Sequence, residues 1–446
     1  MLGEEQLKEW TDRALSHSKA ETTQVTIYVW ESNLTRFATS YIHQNVGEEN
    51  MLITVKCANE KRIGEASTNK FNKIEEIVQR AQAISRVIPA NPDFPGFPPL
   101  NPIEEIETFI PITYELTPLK RAEICNSIIH KASEFRAFGS FSTDAMEFAI
   151  ANSNELFRYN RSTSAFLSTT IMGNSGSGYA QAGGRNAKLI NQTKVAEKAI
   201  EKAKLAQNPM RIEPGRYEII LEPLAVAELL FYLCGLGCNA LRYQEGRSPF
   251  CGKLGKKVMG SNITIWDDAL ASEGCPFPFD FEGVPKKKVS LVENGVVKEL
   301  VYDSTTAKKV GKESTGHSLG TPSAGAMPLN LFMQGGDSTL EELTSSVKKG
   351  ILVTRLWYTN LIDPMSLTIT GMTRDGTYLL ENGSIVQPLK NLRFTQSILT
   401  AFSKVVDLSK TVFVPSGEHY GIPFLYGAKV PALRIKDWNF TGVTEH

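Results

Sequence analysis

From Tyr217 onward the chain is cut by glycine into short strand-like runs, and that punctuation limits the fold more than any other feature of the sequence. The runs lie at 217–221, 262–266, 288–292, 296–301, 351–357, 366–373, 376–380, 384–388 and 390–394. Helical periodicity interrupts them only at 224–236, near 339–349 and near 395–406. Many short strands separated by turn residues predict a β-rich unit, either a barrel or a strongly curved sheet.

The first half reads differently. Residues 4–18 place Leu7, Trp10, Ala14 and Leu15 on one helical face, and Val25, Ile27 and Val29 then alternate as in a half-buried strand. Strands are expected near 36–43 and at 51–58, followed by an amphipathic helix over 72–88 that Pro89 stops. Six prolines between 89 and 102 make a rigid connecting loop. Thr117-Pro118 supplies an N-cap and first-turn proline for the next helix, beside whose apolar face sits His130, read as structural. A β region follows over 140–172, turned at Asn152-Ser153-Asn154, and then a helix over 193–207 that Asn208-Pro209 ends.

Glu213-Pro214-Gly215 marks the boundary, giving an N-terminal domain over 1–210 and a C-terminal domain over 211–446. The expected class is α+β: an N-terminal α/β domain of mostly antiparallel sheet with helices, then a β-rich barrel-like or curved-sheet domain. Leu34-Thr35-Arg36-Phe37-Ala38-Thr39-Ser40 is echoed by Leu156-Phe157-Arg158-Tyr159-Asn160-Arg161-Ser162, which is consistent with two similar helix-and-hairpin units in one sheet.

Composition removes several function classes. Lys plus Arg (48) equals Asp plus Glu (48), which argues against a nucleic-acid partner, and the runs Lys286-Lys287-Lys288 and Lys253 to Lys257 read as solvated loops. Six cysteines in 446 residues are too sparse for a disulfide framework and suit a reducing compartment. The acidic, amphipathic start does not resemble a secretory signal, and no apolar stretch has the length of a membrane span. A cytoplasmic protein with no membrane association is the expectation.

Local motifs are weak. Gly173-Asn174-Ser175-Gly176-Ser177-Gly178 lacks the further glycine of a dinucleotide loop, having Gln181 there, and reads as a turn between strands. The stretch 246–253 has the wrong spacing for a phosphate loop, and Leu254 stands where the magnesium-binding hydroxyl would be. Cys234 and Cys238 lie four apart on one helical face, with Cys251 and Cys275 following; burial is the expected reason, ahead of metal or redox use. Of six histidines only His317, in a glycine-rich loop, and His419, after Glu418, are plausible in catalysis.

The helix at 224–236 contains no His and one charged residue, Glu228. Around it stand Glu222-Pro223, Glu245-Gly246-Arg247-Ser248, Gly252-Lys253-Leu254-Gly255, Pro278-Phe279-Asp280-Phe281-Glu282-Gly283-Val284-Pro285, Val292-Glu293-Asn294-Gly295-Val296, Thr306-Ala307-Lys308-Lys309, Ser314-Thr315-Gly316-His317 and Gly335-Gly336-Asp337-Ser338. Their order and spacing resemble the TldD/PmbA family, known by name as modulators of DNA gyrase, across the C-terminal half.

The resemblance implies cytoplasmic peptidases that work as dimers. In one subunit type a His-Glu-x-x-x-His helix and a C-terminal cysteine hold zinc; the other type, TldE or PmbA, lacks them. Two imidazoles and a third ligand would leave one coordination position open for water, with the glutamate as base. Carried onto this chain, the motif falls on Phe231-Tyr232-Leu233-Cys234-Gly235-Leu236, so that Phe231, Tyr232 and Leu236 replace the ligands and base while Gly235 coincides. No cysteine follows Cys275. The reading is therefore a subunit without catalytic residues, metal or cofactor of its own, zinc residing in a TldD-type partner.

Three functions stay open at this level. The first is such a subunit, as a homodimer or paired with a TldD-type zinc peptidase, admitting unfolded peptides. The second is a free-standing hydrolase with a relocated site, whose candidate cleft residues are Glu245, Arg247, Asp280, Glu282 and His317. The third is a peptide-binding scaffold.

Overall fold

A computed structural model of the chain describes residues 1–416 and 422–444. Its first sheet holds β1 (Thr22–Ala38), β2 (Tyr41–Asn59), β3 (Arg62–Thr68), β4 (Arg136–Asn152), β5 (Phe157–Met172) and β6 (Ser177–Gly184), in the order β3-β2-β1-β4-β5-β6 with every pairing antiparallel. Helices α1 (Glu4–His17), α2 (Ile74–Val87), α3 (Pro111–Tyr114), α4 (Pro118–Lys131) and α5 (Gln192–Leu205) accompany it. Thr117 caps α4 as expected, its hydroxyl accepting from Lys120 N–H.

Two units of this region share one order: α1, β1–β3, α2, then α4, β4–β6, α5. The sequence echo, however, lies in β1 and β5, strands that are not equivalent in this repeat. A better mark of it is the glycine in the last strand of each unit. A Cβ on Gly64 would stand 2.0 Å from Ala81 O of α2, and one on Gly178 would stand 2.2 Å from Ala199 O of α5. Each glycine lets the following helix lie directly on its strand.

Strand alternation sorts the sheet's faces. Val25, Ile27 and Val29 of β1 pack with α1 and α2, and Phe37 packs toward α4, whereas Tyr28 and Trp30 face the C-terminal half of the chain. The strand expected over 36–43 is corrected: the chain reverses at Thr39-Ser40, so β1 and β2 form one long hairpin. Both turn residues have positive φ, 52° and 60°, the geometry of a tight hairpin turn built here without glycine.

From residue 215 two sheets interleave. Along the chain run β7 (Gly215–Leu221), α6 (Pro223–Gly237), α7 (Ala240–Gln244), β8 (Ile265–Asp267), β9 (Val289–Glu293), β10 (Val296–Val297), α8 (Ser304–Lys309), β11 (Asn330–Met333) and α9 (Leu340–Ser345). Then come β12 (Lys349–Asp363), β13 (Thr368–Glu381), β14 (Ser384–Pro388), β15 (Leu392–Ser397), α10 (Ile398–Ser403), β16 (Val405–Leu408), β17 (Val412–Pro415), β18 (Gly427–Val430) and β19 (Leu433–Val443). β12, β7, β19, β15 and β13 close into a five-stranded barrel through the β12–β13 pairing. The second sheet has the order β10-β9-β8-β11-β18-β17.

The expected runs 366–373 and 376–380 are one strand, β13, and α7 and α8 were not anticipated, each being too short to show periodicity. α6 lies within the largest core. Among the described residues no helix is long and apolar enough to cross a membrane.

Candidate functional site

Pro223 opens α6 at its first turn, where a missing N–H costs nothing, and the apolar sequence that follows buries most of the helix among β7, β12, β17 and β18. Its half-buried face carries Glu228, Phe231, Tyr232, Gly235 and Leu236. The Phe231 ring meets Tyr426 edge to face at 5.2 Å, and the Tyr232 hydroxyl donates to Thr359 O at 2.7 Å. A Cβ on Gly235 would stand 3.2 Å from Met327 Cε, and Leu236 packs against the core. Burial pushes the Glu228 carboxyl above its ordinary range, with Thr359 and Arg355 opposing.

This face does not fit a zinc ion. At the positions to which the resemblance assigns imidazoles stand two hydrocarbon side chains, Phe231 and Leu236, and the Tyr232 hydroxyl is committed to a backbone carbonyl. Among the described residues no three His, Cys, Asp or Glu side chains converge as a metal-holding group. Burial pushes the Cys234 thiol well up, its neighbour Cys238 adding to the effect, and pushes Cys275 up to about 12. Neither is a ready thiolate.

The second group of candidates lies in 275–285. Phenylalanine alternates there with proline and acid, so an extended backbone sends the two sets to opposite sides. Phe277, Phe279 and Phe281 meet the first sheet: Phe148, itself stacked on Tyr28 at 4.6 Å, lies 5.6 Å from Phe279. The acids turn away from that aromatic seam. Asp280 Oδ1 accepts from Glu282 N–H and Val284 N–H, and Oδ2 from Ser318 N–H, each at 2.9 Å. Glu282 Oε2 accepts from Ser304 Oγ at 2.6 Å and Ser304 N–H at 3.1 Å.

Burial pushes Asp280 upward and the Glu282 charge adds to it, the three N–H donors pulling the other way. Burial also raises Glu282, with the Asp303 charge contributing. The two acids nevertheless have different surroundings. Asp280 is sealed in its own turn, whereas Glu282 is half-buried and lines a cavity of about 340 Å3.

His317 is buried, with Nε2 3.0 Å from Asp267 Oδ1 and Nδ1 2.8 Å from Thr315 O. Lys286 is buried near Asp267 and Asp280, which corrects its reading as part of a solvated loop; Lys287 and Lys288 are exposed. Burial pushes the Lys286 amine downward while the two carboxylates oppose it. Glu245 and Arg247 pair with each other, Nε to Oε2 at 2.9 Å, on the exposed surface. Asp280 and Glu282 lie in one turn, to which His317 is joined through the neighbouring Ser318 N–H, and Glu245 and Arg247 pair elsewhere on the surface. His130 is exposed, and Glu418 and His419 lie outside the described residues.

Sequence reasoning missed Asp267, Lys286 and Gln24. The first acid of an Asp-Asp pair at a strand end, a lysine inside a basic run and a glutamine in an alternating strand carry no local mark of burial. Only the excess of polar residues within apolar strand patterns hints at it.

The architecture is thus a sheet with helices on one face and an aromatic seam on the other, followed by a barrel and a second sheet that together bury an apolar helix. The family model for the PmbA/TldA metallopeptidase C-terminal domain matches residues 214–442, and that for the central domain matches 111–207. The chain belongs to the PmbA/TldD family.

Relatives include an uncharacterised protein of Methanocaldococcus jannaschii, 31% identical over 232 residues, covering 50% of this chain and 52% of that protein. A metalloprotease TldD homologue of Buchnera aphidicola is 30% identical over 196 residues, covering 43% and 40%. The chain spans about half the length of the curated relatives it matches. In fold it is similar to TldE from Thermococcus kodakarensis, with a TM-score of 0.86 and 19% identity over 98% of this chain and 100% of that one.

Proposed function

We propose that this chain is a non-catalytic, TldE-type subunit of a cytoplasmic metallopeptidase. It pairs with a TldD-type zinc subunit, or with itself, and shapes the path by which unfolded peptides reach the zinc of the partner. The observation that carries this reading is the half-buried face of α6, which presents Phe231, Tyr232 and Leu236 at the positions the resemblance assigns to ligands and base, with Tyr232 hydrogen-bonded to Thr359 O. A side chain without a lone pair cannot hold the metal, and a phenol bound to a carbonyl is a poor base at neutral pH. Six cysteines without disulfides suit the reducing compartment.

The test is to purify the chain alone and together with a TldD-type subunit, measuring zinc by mass spectrometry and cleavage of unfolded casein. The expected result is cleavage only by the mixture, with complex formation visible by size-exclusion chromatography. Stoichiometric zinc in this chain alone, or sustained hydrolysis by it, would sink the reading.

A further inference from the structure

The cavity beside Glu282 is separate from the half-buried face of α6, and the chemistry of its wall defines what can enter it. It lies where β1, β2, β3 and α2 of the first sheet region meet the proline-rich loop and the segments around Glu282, Ser304 and Gly320. Its volume of about 340 Å3 falls within the usual range of small-molecule sites. Ile63, Ile84, Ile88, Phe94 and Phe97 supply the apolar wall.

The polar groups are unevenly matched. Gln24, only 2% exposed, has an Oε1 atom with no hydrogen-bond partner. A buried acceptor left in that state has lost its hydration without replacement, and a donor from a bound molecule would relieve it. Glu282 adds a carboxyl whose Oε2 is held by Ser304. The cation on this wall, Lys56, is already engaged by the carbonyl of Gly320 and lies 3.6 Å from Glu65. Two carboxyls, Glu282 and Glu65, thus face one ammonium on this wall.

We propose that this cavity binds a small primary amine with an apolar body. The ammonium donates to Gln24 Oε1 and to Glu282, and the hydrocarbon part lies against the isoleucine and phenylalanine wall. An acid of the same shape is refused, because its carboxylate would face Glu282 and Glu65 and leave Gln24 Oε1 unrelieved. The site requires both halves of the chain, since Gln24 and Glu282 come from opposite sides of the seam. Ligand binding would therefore also hold the two together.

Isothermal titration calorimetry of the full chain with phenethylamine and with 3-phenylpropionate at pH 7.5 tests this. Phenethylamine should bind and raise Tm, and 3-phenylpropionate should do neither. Glu282→Gln, which keeps the shape and the contact with Ser304, should weaken amine binding by roughly tenfold or more. Ile88→Trp, at a residue 39% exposed on the cavity wall, should block binding by filling space while leaving the circular dichroism spectrum unchanged. Failure of phenethylamine to bind the unmodified chain would overturn the proposal, as would equal binding of the acid or an affinity that neither substitution changes.

Discussion

His317 Nε2 lies 3.0 Å from Asp267 Oδ1 with both side chains fully buried, although 50 positions separate them in sequence. Thr315 O, which can only accept, fixes the proton on Nδ1 at 2.8 Å. Asp267 Oδ2 in turn accepts from Asn330 N–H at 2.9 Å, so the pair ties the Gly316 loop to β8 and β11. The imidazole is sealed from solvent, and this geometry is that of a structural link.

His317→Phe should accordingly destabilise the chain by about 3 kcal/mol, the usual cost of stranding one member of a buried pair. Urea unfolding would measure it. If His317 instead served chemistry, the variant of an assembled peptidase would lose activity at unchanged Tm.

Asp144 should give stability a pH dependence. Burial pushes its carboxyl up to about 6, with Ser32, Ser164 and Arg121 opposing. A carboxyl raised on folding stabilises fully below its unfolded value, near 4, and that contribution is lost as pH rises through about 6. The ionised form then costs up to about 3 kcal/mol at pH 8 and about half of that at pH 5. Asp144→Asn should thus be the more stable protein at pH 8, by a margin that shrinks toward pH 5. Urea midpoints at the two pH values would show it, and a margin that grows on acidification would contradict the assignment.

Lys202 of α5 and Glu222, which precedes α6, form a buried ion pair joined by Thr354: Lys202 Nζ donates to Thr354 Oγ1 at 2.8 Å, and Oγ1 to Glu222 Oε1 at 3.0 Å. Burial pushes Lys202 down to about 8 against the pull of Glu222. Lys202→Met should cost about 3 kcal/mol by leaving the buried Glu222 with only the exposed Lys198, 3.7 Å away, as a cation, and adding Glu222→Leu should recover most of that loss. Thermal unfolding of the single and double variants measures the coupling; purely additive losses would mean that the pair is not a unit.

Gly178→Ala should destabilise by about 1–3 kcal/mol, because a Cβ there meets Ala199 O at 2.2 Å and α5 must move. Hydrogen exchange should speed up in α5 and β6 before it does in the barrel.

Much of the architecture was legible because it is local. α6 was expected over 224–236 and spans Pro223–Gly237, since a proline start and an unbroken apolar run leave few alternatives. The hairpin of β4 and β5 turns where Asn152-Ser153-Asn154 predicts. The β1–β2 turn escaped notice because Thr39 and Ser40 adopt positive φ without the glycine or asparagine that normally announces it. The barrel's closure also leaves no mark on any one strand, since it depends on β12 meeting β13 as well as β7.

At the candidate site the same division holds. The sequence alone determined that Phe231, Tyr232 and Leu236 offer no imidazole or carboxylate, and that 275–285 alternates aromatic and acidic side chains, because residue identity and backbone periodicity are local properties. Tertiary structure decided which groups meet: His317 with Asp267, Lys286 buried between carboxylates, and Gln24 sharing a cavity with Glu282. Such partners are chosen by the packing of one sheet against an aromatic seam. The energy of that packing belongs to surfaces distant in sequence, and no single stretch of the chain encodes it.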